Sequence, residues 1–315
     1  MQSMQHLTPI GRGIDILLFD AFSNHCLANT VEPLRAANTF LRLDHYRWRI
    51  LTLDGASVKS SSGLRIAPDG GLKDGTGSTL IVMPSYGFRD LAGWRVVGPI
   101  KAAARRYETL AGFDTGSWLL AAAGLLDGHK ATIHWEEFTS FAEAFPQVEA
   151  CRERYVIDKT RVTCSGAMAA FDLIMHVIGK THGPLLAMEV GQLFMTEGSA
   201  GSPSIIQGPM GRTVRQAISI MQENLESPLS IRAVANRIGV SQRLLEQRTR
   251  NELKTTPQSV YRRLRLVAAR KLVQESTYSV AEIAGRAGYE NASAMTRAFR
   301  AEFGLTPREM RCEGA

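Results

Sequence analysis

Little in this chain fits a disulfide scaffold, a metal protein or a membrane protein. Its four cysteines, Cys26, Cys151, Cys164 and Cys312, are scattered through 315 residues with no C-x-x-C spacing. Scattered thiols argue against a zinc or disulfide framework and fit reduced core or surface cysteines. His129 and His134 are too far apart for a helical ligand pair, and no further ligands stand beside them, so no metal is expected. No stretch approaches the roughly 18–20 uninterrupted apolar residues of a membrane helix. No charged n-region followed by an apolar run opens the chain. The expectation is a cytoplasmic protein without membrane contact or cofactor.

Acidic residues are scarce in one region only. Residues 212–315 hold 18 Lys+Arg against 10 Asp+Glu, while residues 1–211 hold 19 against 20. The net charge of +7 therefore lies on the last third, as a phosphate-binding surface would require. Between the two regions, Gly198-Ser-Ala-Gly-Ser-Pro203 through Gly208-Pro-Met-Gly211 is a run of chain breakers that reads as a linker.

The basic region contains one block twice. Arg250-Asn-Glu252-Leu253-Lys-Thr-Thr256-Pro257 recurs as Arg300-Ala-Glu302-Phe303-Gly-Leu-Thr306-Pro307. Upstream of each lies an apolar stripe with i, i+3, i+4, i+7 spacing, Ile231, Val234, Ala235, Ile238 and Val280, Ile283, Ala284, Ala287. A glycine follows each stripe, Gly239 and Gly288, and a second helix begins. That is a helix-turn-helix in tandem, two DNA-reading heads in one chain. Thr306-Pro307-Arg-Glu309 and Ser279-Val-Ala-Glu282 read as capping boxes, and Thr256-Pro257 and Ser227-Pro228 as cap-plus-proline starts. Gln258 to about Glu275 is predicted to be one long helix with a stripe of Val260, Leu264, Val267, Ala268 and Leu272.

Residues 215–311, including the ending Phe303-Gly-Leu-Thr-Pro307, resemble the AraC/XylS family of transcription regulators. The resemblance implies that the second helix of each head enters the major groove. By position the groove-facing candidates are Arg243, Glu246, Gln247 and Arg250 in the first head, and Asn291, Ser293, Thr296 and Arg297 in the second. Arg forks onto guanine and Gln onto adenine; a phosphate contact or plain solvation stays open for each. One departure stands out. Where the second head has Ala298 and Phe299, the first has Arg248 and Thr249, so its core either packs loosely or that face meets the N-terminal region.

In the first two thirds, the apolar runs Ile14–Phe19, Arg49–Leu53 and Thr79–Met83 alternate with the helical stretches Ala28–Phe40 and Val97–Tyr107. Such alternation predicts a mostly parallel α/β sandwich with its ligand site at the carboxyl ends of the strands. Gly112-Phe-Asp114-Thr115-Gly116-Ser-Trp118, between strand-like Thr109–Ala111 and helix-like Leu119–Ala123, has the G-x-Nu-x-G spacing of a nucleophile elbow with Asp114 at the nucleophile position. Thr132-Ile-His134-Trp135 follows, and Glu32-Pro-Leu-Arg35 lies near the first strand. Other readings remain open: Asp114 as a helix N-cap or turn residue, His134 as a packed core histidine, and Glu32 as the partner of Arg35.

Residues 12–195 resemble the PfpI-type intracellular proteases and the class-I glutamine-amidotransferase-like superfamily, and the whole chain is similar to the GlxA group of regulators. The stretches that carry this are Val31–Asn38, the elbow, Ala123–Gly128, Thr132–Trp135 and Thr163-Cys164-Ser-Gly-Ala167. Superfamily enzymes use an elbow cysteine, a histidine and a glutamate from the first helix; the resemblance puts Asp114, His134 and Glu32 in those places. A carboxylate is a weak nucleophile towards amides, so acyl transfer is lost with the thiol. The GlxA resemblance brings in sensors of arginine, carnitine and glycine betaine.

The chain is thus expected to join a flavodoxin-like α/β sensor (1–197), a linker (198–211) and an all-α tandem helix-turn-helix domain (212–315). It would act as a transcriptional activator on double-stranded DNA, as a homodimer working with RNA polymerase. Its effector would be a basic amino acid or quaternary amine held by Glu32, Asp114, Thr115, Trp118 and His134. The rival is a hydrolase or dehalogenase using Asp114 and His134, with an accessory DNA-binding domain.

Overall fold

A computed structural model describes residues 10–194 and 211–313. The chain divides into two compact units, residues 1–206 and 207–315. The expected linker at 198–211 lies, apart from Gly211, outside the described residues. Gly211 itself belongs to the helical unit, where its backbone N–H donates to Glu252 Oε2 at 2.7 Å.

The first unit is built on one main sheet of seven strands: β1 (Gly13–Leu18), β2 (Arg47–Thr52), β3 (Gly70–Gly71), β4 (Thr79–Met83), β5 (Thr109–Phe113), β6 (Tyr155–Asp158) and β7 (Arg161–Cys164). Their spatial order is β6-β7-β5-β4-β1-β2-β3. Every pairing is parallel except β6 with β7 at one edge. Every residue of β4 and β5 is buried, as expected of central strands covered on both faces. Helices α2 (Trp94–Ala104), α3 (Gly116–Ala122) and α4 (Phe138–Ala144) share one core with Leu17, Leu51, Leu80, Val82 and Leu110 of the sheet. Helices α1 (Asn24–Leu41), α5 (Ala167–His182) and α6 (Pro184–Phe194) pack on one another, and α5 rests on β6 and β7. The flavodoxin-like expectation holds. Helix α1 starts before Ala28 because Ser23 caps it, its Oγ accepting from Cys26 N at 3.2 Å.

The second unit is helical throughout its described residues: α7 (Arg212–Glu223), α8 (Ile231–Arg237), α9 (Gln242–Leu253), α10 (Pro257–Glu275), α11 (Val280–Arg286), α12 (Ala292–Phe303) and α13 (Pro307–Glu313). Helices α8–α9 and α11–α12 are the two helix-turn-helix heads. Ser279 and Glu282 exchange the reciprocal bonds of a capping box, and so do Thr306 and Glu309. Thr256 caps α10, with Pro257 as its first residue.

Two expectations need correction. Ser227-Pro228 begins no helix; Ser230 caps α8 instead, and Pro228 lies in the preceding loop. The buried stripe of α10 is not continuous either. Its first half buries Val260, Tyr261 and Leu264, its second half Leu266, Ala269, Arg270 and Val273. At roughly 100° per residue these sets lie on opposite sides of the helix. One helix therefore serves two cores, and a single stripe cannot describe it.

The first head is not loosely packed. Thr249 is buried, its hydroxyl bonded to the Leu245 carbonyl at 2.8 Å, and Arg248 donates to Thr213 Oγ1 on α7. Helix α7 brings Val214, Ala217, Ile218 and Met221 to this core, apolar volume that the second head draws from Phe299 and Phe303.

Candidate functional site

The elbow has the backbone of a strand-to-helix hairpin bend. Asp114 sits at φ 60°, the left-handed region that an aspartate tolerates better than most residues. The flanking glycines are steric necessities. A Cβ on Gly112 would lie 2.6 Å from Ser117 N, and one on Gly116 would lie 2.0 Å from the Val82 carbonyl oxygen.

Three neighbouring strands deliver side chains to this bend from their carboxyl ends. Ser85, after β4, donates its hydroxyl to Asp114 Oδ2 at 2.9 Å. Thr115 donates to the Ser85 carbonyl at 3.0 Å, and His134 N donates to the Asp114 carbonyl at 3.1 Å. Cys164, the last residue of β7, has the Asp114 backbone N–H within bonding reach of its sulfur. Gly166 lies beside the His134 ring, 3.4 Å from a Cβ position to Cδ2.

Asp114 is only 6% exposed. Burial pushes its carboxyl above the usual carboxylate range, against the opposing pull of Ser85 and His134. Both nearby thiols are held protonated. Burial pushes Cys164 up to about 12 and raises Cys26 well above its ordinary value, with Cys164 and Asp114 adding to the rise in Cys26. Neither thiol has the electropositive, accessible setting that activates a cysteine.

The residues expected at this site divide. Asp114, Thr115 and His134 converge. Asp114 is not an N-cap, since Thr115 occupies that position before α3. Glu32 is elsewhere: its side chain is 43% exposed and paired with Arg35 at 2.8 Å, the local pairing the sequence left open. The buried face of α1 runs through Cys26, Thr30, Pro33, Leu34 and Ala37, and position 32 is off it. Cys26 on α1 is within electrostatic reach of Asp114, and it lies on the buried face that position 32 leaves. Trp118 is taken up by the α3–α4 core, against Phe88, Phe141 and Phe145 at ring separations of 5.3, 6.3 and 5.1 Å. Its face already carries a cation, the Arg89 guanidinium at 5.0 Å, itself paired with Glu137.

Sequence reasoning missed Ser85. It follows a buried strand, and only the spatial order of β4 and β5 brings it to the elbow. Three exposed apolar side chains follow Ser85, His134 and Cys164 along the chain: Tyr86 (67% exposed), Trp135 (70%) and, in the first turn of α5, Met168 (39%). Two clefts of about 330 and 440 Å³ lie away from the elbow, lined by Arg12, Asp44, His45 and Arg47, and by Arg35, Arg42 and Trp48. They are shallow and charged, and none of the converging groups lines them.

On the helical unit, Arg243, Glu246, Gln247 and Arg250 share one face of α9. Arg243, Gln247 and Arg250 are exposed; Glu246 is half-buried and accepts from Gln242 Nε2 at 2.8 Å. On α12, Ser293 and Arg297 are exposed and Thr296 half-buried. Asn291 has another task. It caps α12, its Oδ1 accepting from Ala294 N at 2.8 Å, as Ser241 caps α9. Arg300, exposed and one helical repeat beyond Ser293, completes the second face and was not foreseen. The two stripes are offset by 49 residues and the reading helices by 50, because Glu290 lengthens the second turn.

An elbow without its thiol, on a parallel sheet, and two helix-turn-helix heads define a ligand-sensing type of DNA-binding protein. Two family models match accordingly: a helix-turn-helix domain over residues 234–312 and the DJ-1/PfpI family over residues 14–180. The HTH-type transcriptional regulator CdhR of Pseudomonas aeruginosa is 36% identical over 307 residues, covering 94% of this chain and 90% of that protein. GbdR of the same species is 34% identical over 308 residues (95% and 84%), and GlxA of Rhizobium meliloti 31% over 309 (95% of each). A crystal structure of a ThiJ/PfpI family protein from Pseudomonas syringae matches the fold, with a TM-score of 0.52 at 18% identity over 83% of this chain and 96% of that one. The chain belongs to the family of AraC-type transcriptional regulators with an N-terminal DJ-1/PfpI domain.

Proposed function

We propose that the N-terminal unit of this regulator senses a small metabolite at the elbow and catalyses nothing. The observation that carries this is the state of Asp114. A carboxyl buried at the elbow and bonded to Ser85 is a poor nucleophile and a good fixed hydrogen-bonding group. The domain limits proposed are 1–197 for the sensor and 212–315 for DNA binding, with 198–211 as linker. DNA contacts are assigned to Arg243, Glu246, Gln247 and Arg250 and to Ser293, Thr296, Arg297 and Arg300. Asn291 contributes through its cap. The protein acts in the cytoplasm as a homodimeric activator on paired operator sites, with RNA polymerase as its further partner; among the described residues no helix is long and apolar enough to cross a membrane.

The effector proposed is a cationic or zwitterionic metabolite, such as a basic amino acid or a quaternary amine. Asp114 supplies the polar anchor, and the exposed Trp135 and Tyr86 rings supply faces that attract a cation. Glu32 and Trp118 take no part. A thermal-shift screen of amino acids and methylated amines tests this. A hit should be lost in Asp114→Asn and weakened in Trp135→Ala, and kept in Glu32→Gln. A plain anion as the hit, or one indifferent to Asp114→Asn, would overturn it.

The hydrolase reading has one observation in its favour: His134 lies at the elbow, with its Nδ1 3.8 Å from Glu136 Oε2. Steady halide release from short haloalkanes, abolished by Asp114→Asn, would restore that reading. No release is expected.

A further inference from the structure

The two turn glycines provide a comparison within one chain. Gly239 and Gly288 have φ values of 70° and 71°, so an added side chain would strain both backbones alike. Their surroundings differ. A Cβ on Gly239 would meet nothing within 4 Å, whereas one on Gly288 would lie 2.3 Å from the Leu225 carbonyl oxygen and 2.6 Å from Pro228 Cγ. The loop between α7 and α8, which leads into the first head, is therefore seated directly against the turn of the second.

Helix α10 clasps both partners. Tyr261, buried, donates its hydroxyl to the Asn224 carbonyl at 2.6 Å and accepts from Leu229 N at 3.2 Å. One turn further on, Arg265 donates to the Ala287 carbonyl at 2.8 Å and the Gly288 carbonyl at 2.6 Å, with its guanidinium 4.3 Å from the Tyr289 ring centre. Residues at i and i+4 share a helix face, so the loop and the turn are held side by side.

We propose that Gly288 is a spacing-determining residue. Its missing side chain lets the Leu225–Pro228 segment seat against the second turn, which fixes the separation and angle of α9 and α12. The chain then accepts paired duplex sites at one spacing only. This role rests on the reading faces proposed above. One base pair of displacement moves a site about 3.4 Å along the duplex and about 35° around it, more than a seat in van der Waals contact can follow.

Two measurements on the full chain separate this role from the reading beneath it. The first uses no DNA. Spin labels at Asn251→Cys and Ala301→Cys, with Cys151→Ser and Cys312→Ser, report the distance distribution between α9 and α12. It should be narrow in this background and in Gly239→Ala, and at least about twofold broader in Gly288→Ala. Tyr261→Phe removes only a hydroxyl, broadens the distribution in the same direction, and carries the test should Gly288→Ala fail to fold. Equal widths in all variants overturn the proposal alone. The second uses duplexes that the unmodified chain selects from a random pool, with one base pair inserted between the half-sites. The insertion should cost the unmodified chain and Gly239→Ala at least about 10-fold in affinity, and Gly288→Ala less than about threefold. Tolerance of the insertion by the unmodified chain overturns the spacing role. Selection of no paired motif at all overturns the DNA-reading assignment along with it.

Discussion

The two heads have the same backbone plan and different cores. In the second, Phe299 and Phe303 stack edge to face at 4.7 Å, with Met295, Ile283 and the far half of α10 around them. In the first, the position of Phe299 is held by Thr249, whose hydroxyl is satisfied within its own helix, and α7 brings the apolar volume. A core can therefore be filled from inside the motif or by an added helix. The difference teaches that repeated sequence guarantees repeated backbone and not repeated packing, so equivalent positions carry unequal energetic weight.

The sharpest way to break that comparison is to truncate the equivalent residues. Phe299→Ala should cost about 3–5 kcal/mol by emptying a fully buried site, and should remove sequence-specific DNA binding with it. Urea unfolding followed on the helical unit's transition measures this. A cost below about 1 kcal/mol would mean that the second core does not depend on its aromatic pair.

Next in size is the reading itself. Arg297→Ala should reduce discrimination against a changed base pair by about 1–3 kcal/mol, measured by anisotropy on matched and altered duplexes at fixed salt. Gln247→Ala should do the same in the first head. Equal losses on matched and altered duplexes would assign both side chains to the phosphate backbone.

The smallest effect belongs to Thr249. Thr249→Val keeps the volume and removes a hydroxyl bonded only to its own helix, so the change should stay within about 1 kcal/mol. A loss as large as that of Phe299→Ala would erase the distinction between the heads.

The sensor unit yields a pH test of direction only. Burial raises the Asp114 carboxyl in the folded chain above its ordinary value of 3.8, so the folded state holds that proton more tightly than the unfolded one. Linkage then makes stability fall as pH rises from below 3.8 through the raised value. Asp114→Asn lacks the group, so its melting temperature relative to the parent chain should be lowest at acid pH and rise towards neutrality. A relative melting temperature that stays constant or falls as pH rises would mean that burial does not raise the carboxyl.

What could be read in advance follows a physical divide. Helix faces, caps and turn glycines are local and periodic, so the tandem heads, their capping boxes and the faces of α9 and α12 were legible in the sequence. Even there Asn291 caps α12, as Ser241 caps α9, and Arg300, the repeat counterpart of Arg250, was left off the face of Ser293, Thr296 and Arg297. The elbow was legible as a motif, since its two glycines and the residue between them keep a fixed short spacing. Its surroundings were not. Ser85 and Cys164 arrive from separate strands, and their meeting depends on strand order, which no local pattern encodes. Glu32, placed by resemblance, pairs with Arg35 instead, and Trp118, chosen for its closeness in sequence to the elbow, packs into the α3–α4 core.

A regulator of this kind must read DNA sequence, and the full chain can be asked directly whether it does. Titrating it against a duplex enriched from a random pool and against a scrambled duplex of the same composition, at one salt concentration, measures this directly. The enriched duplex should bind at least about 1,000-fold more tightly. Equal affinity for the two would reduce the helical unit to a basic surface and contradict sequence-specific regulation.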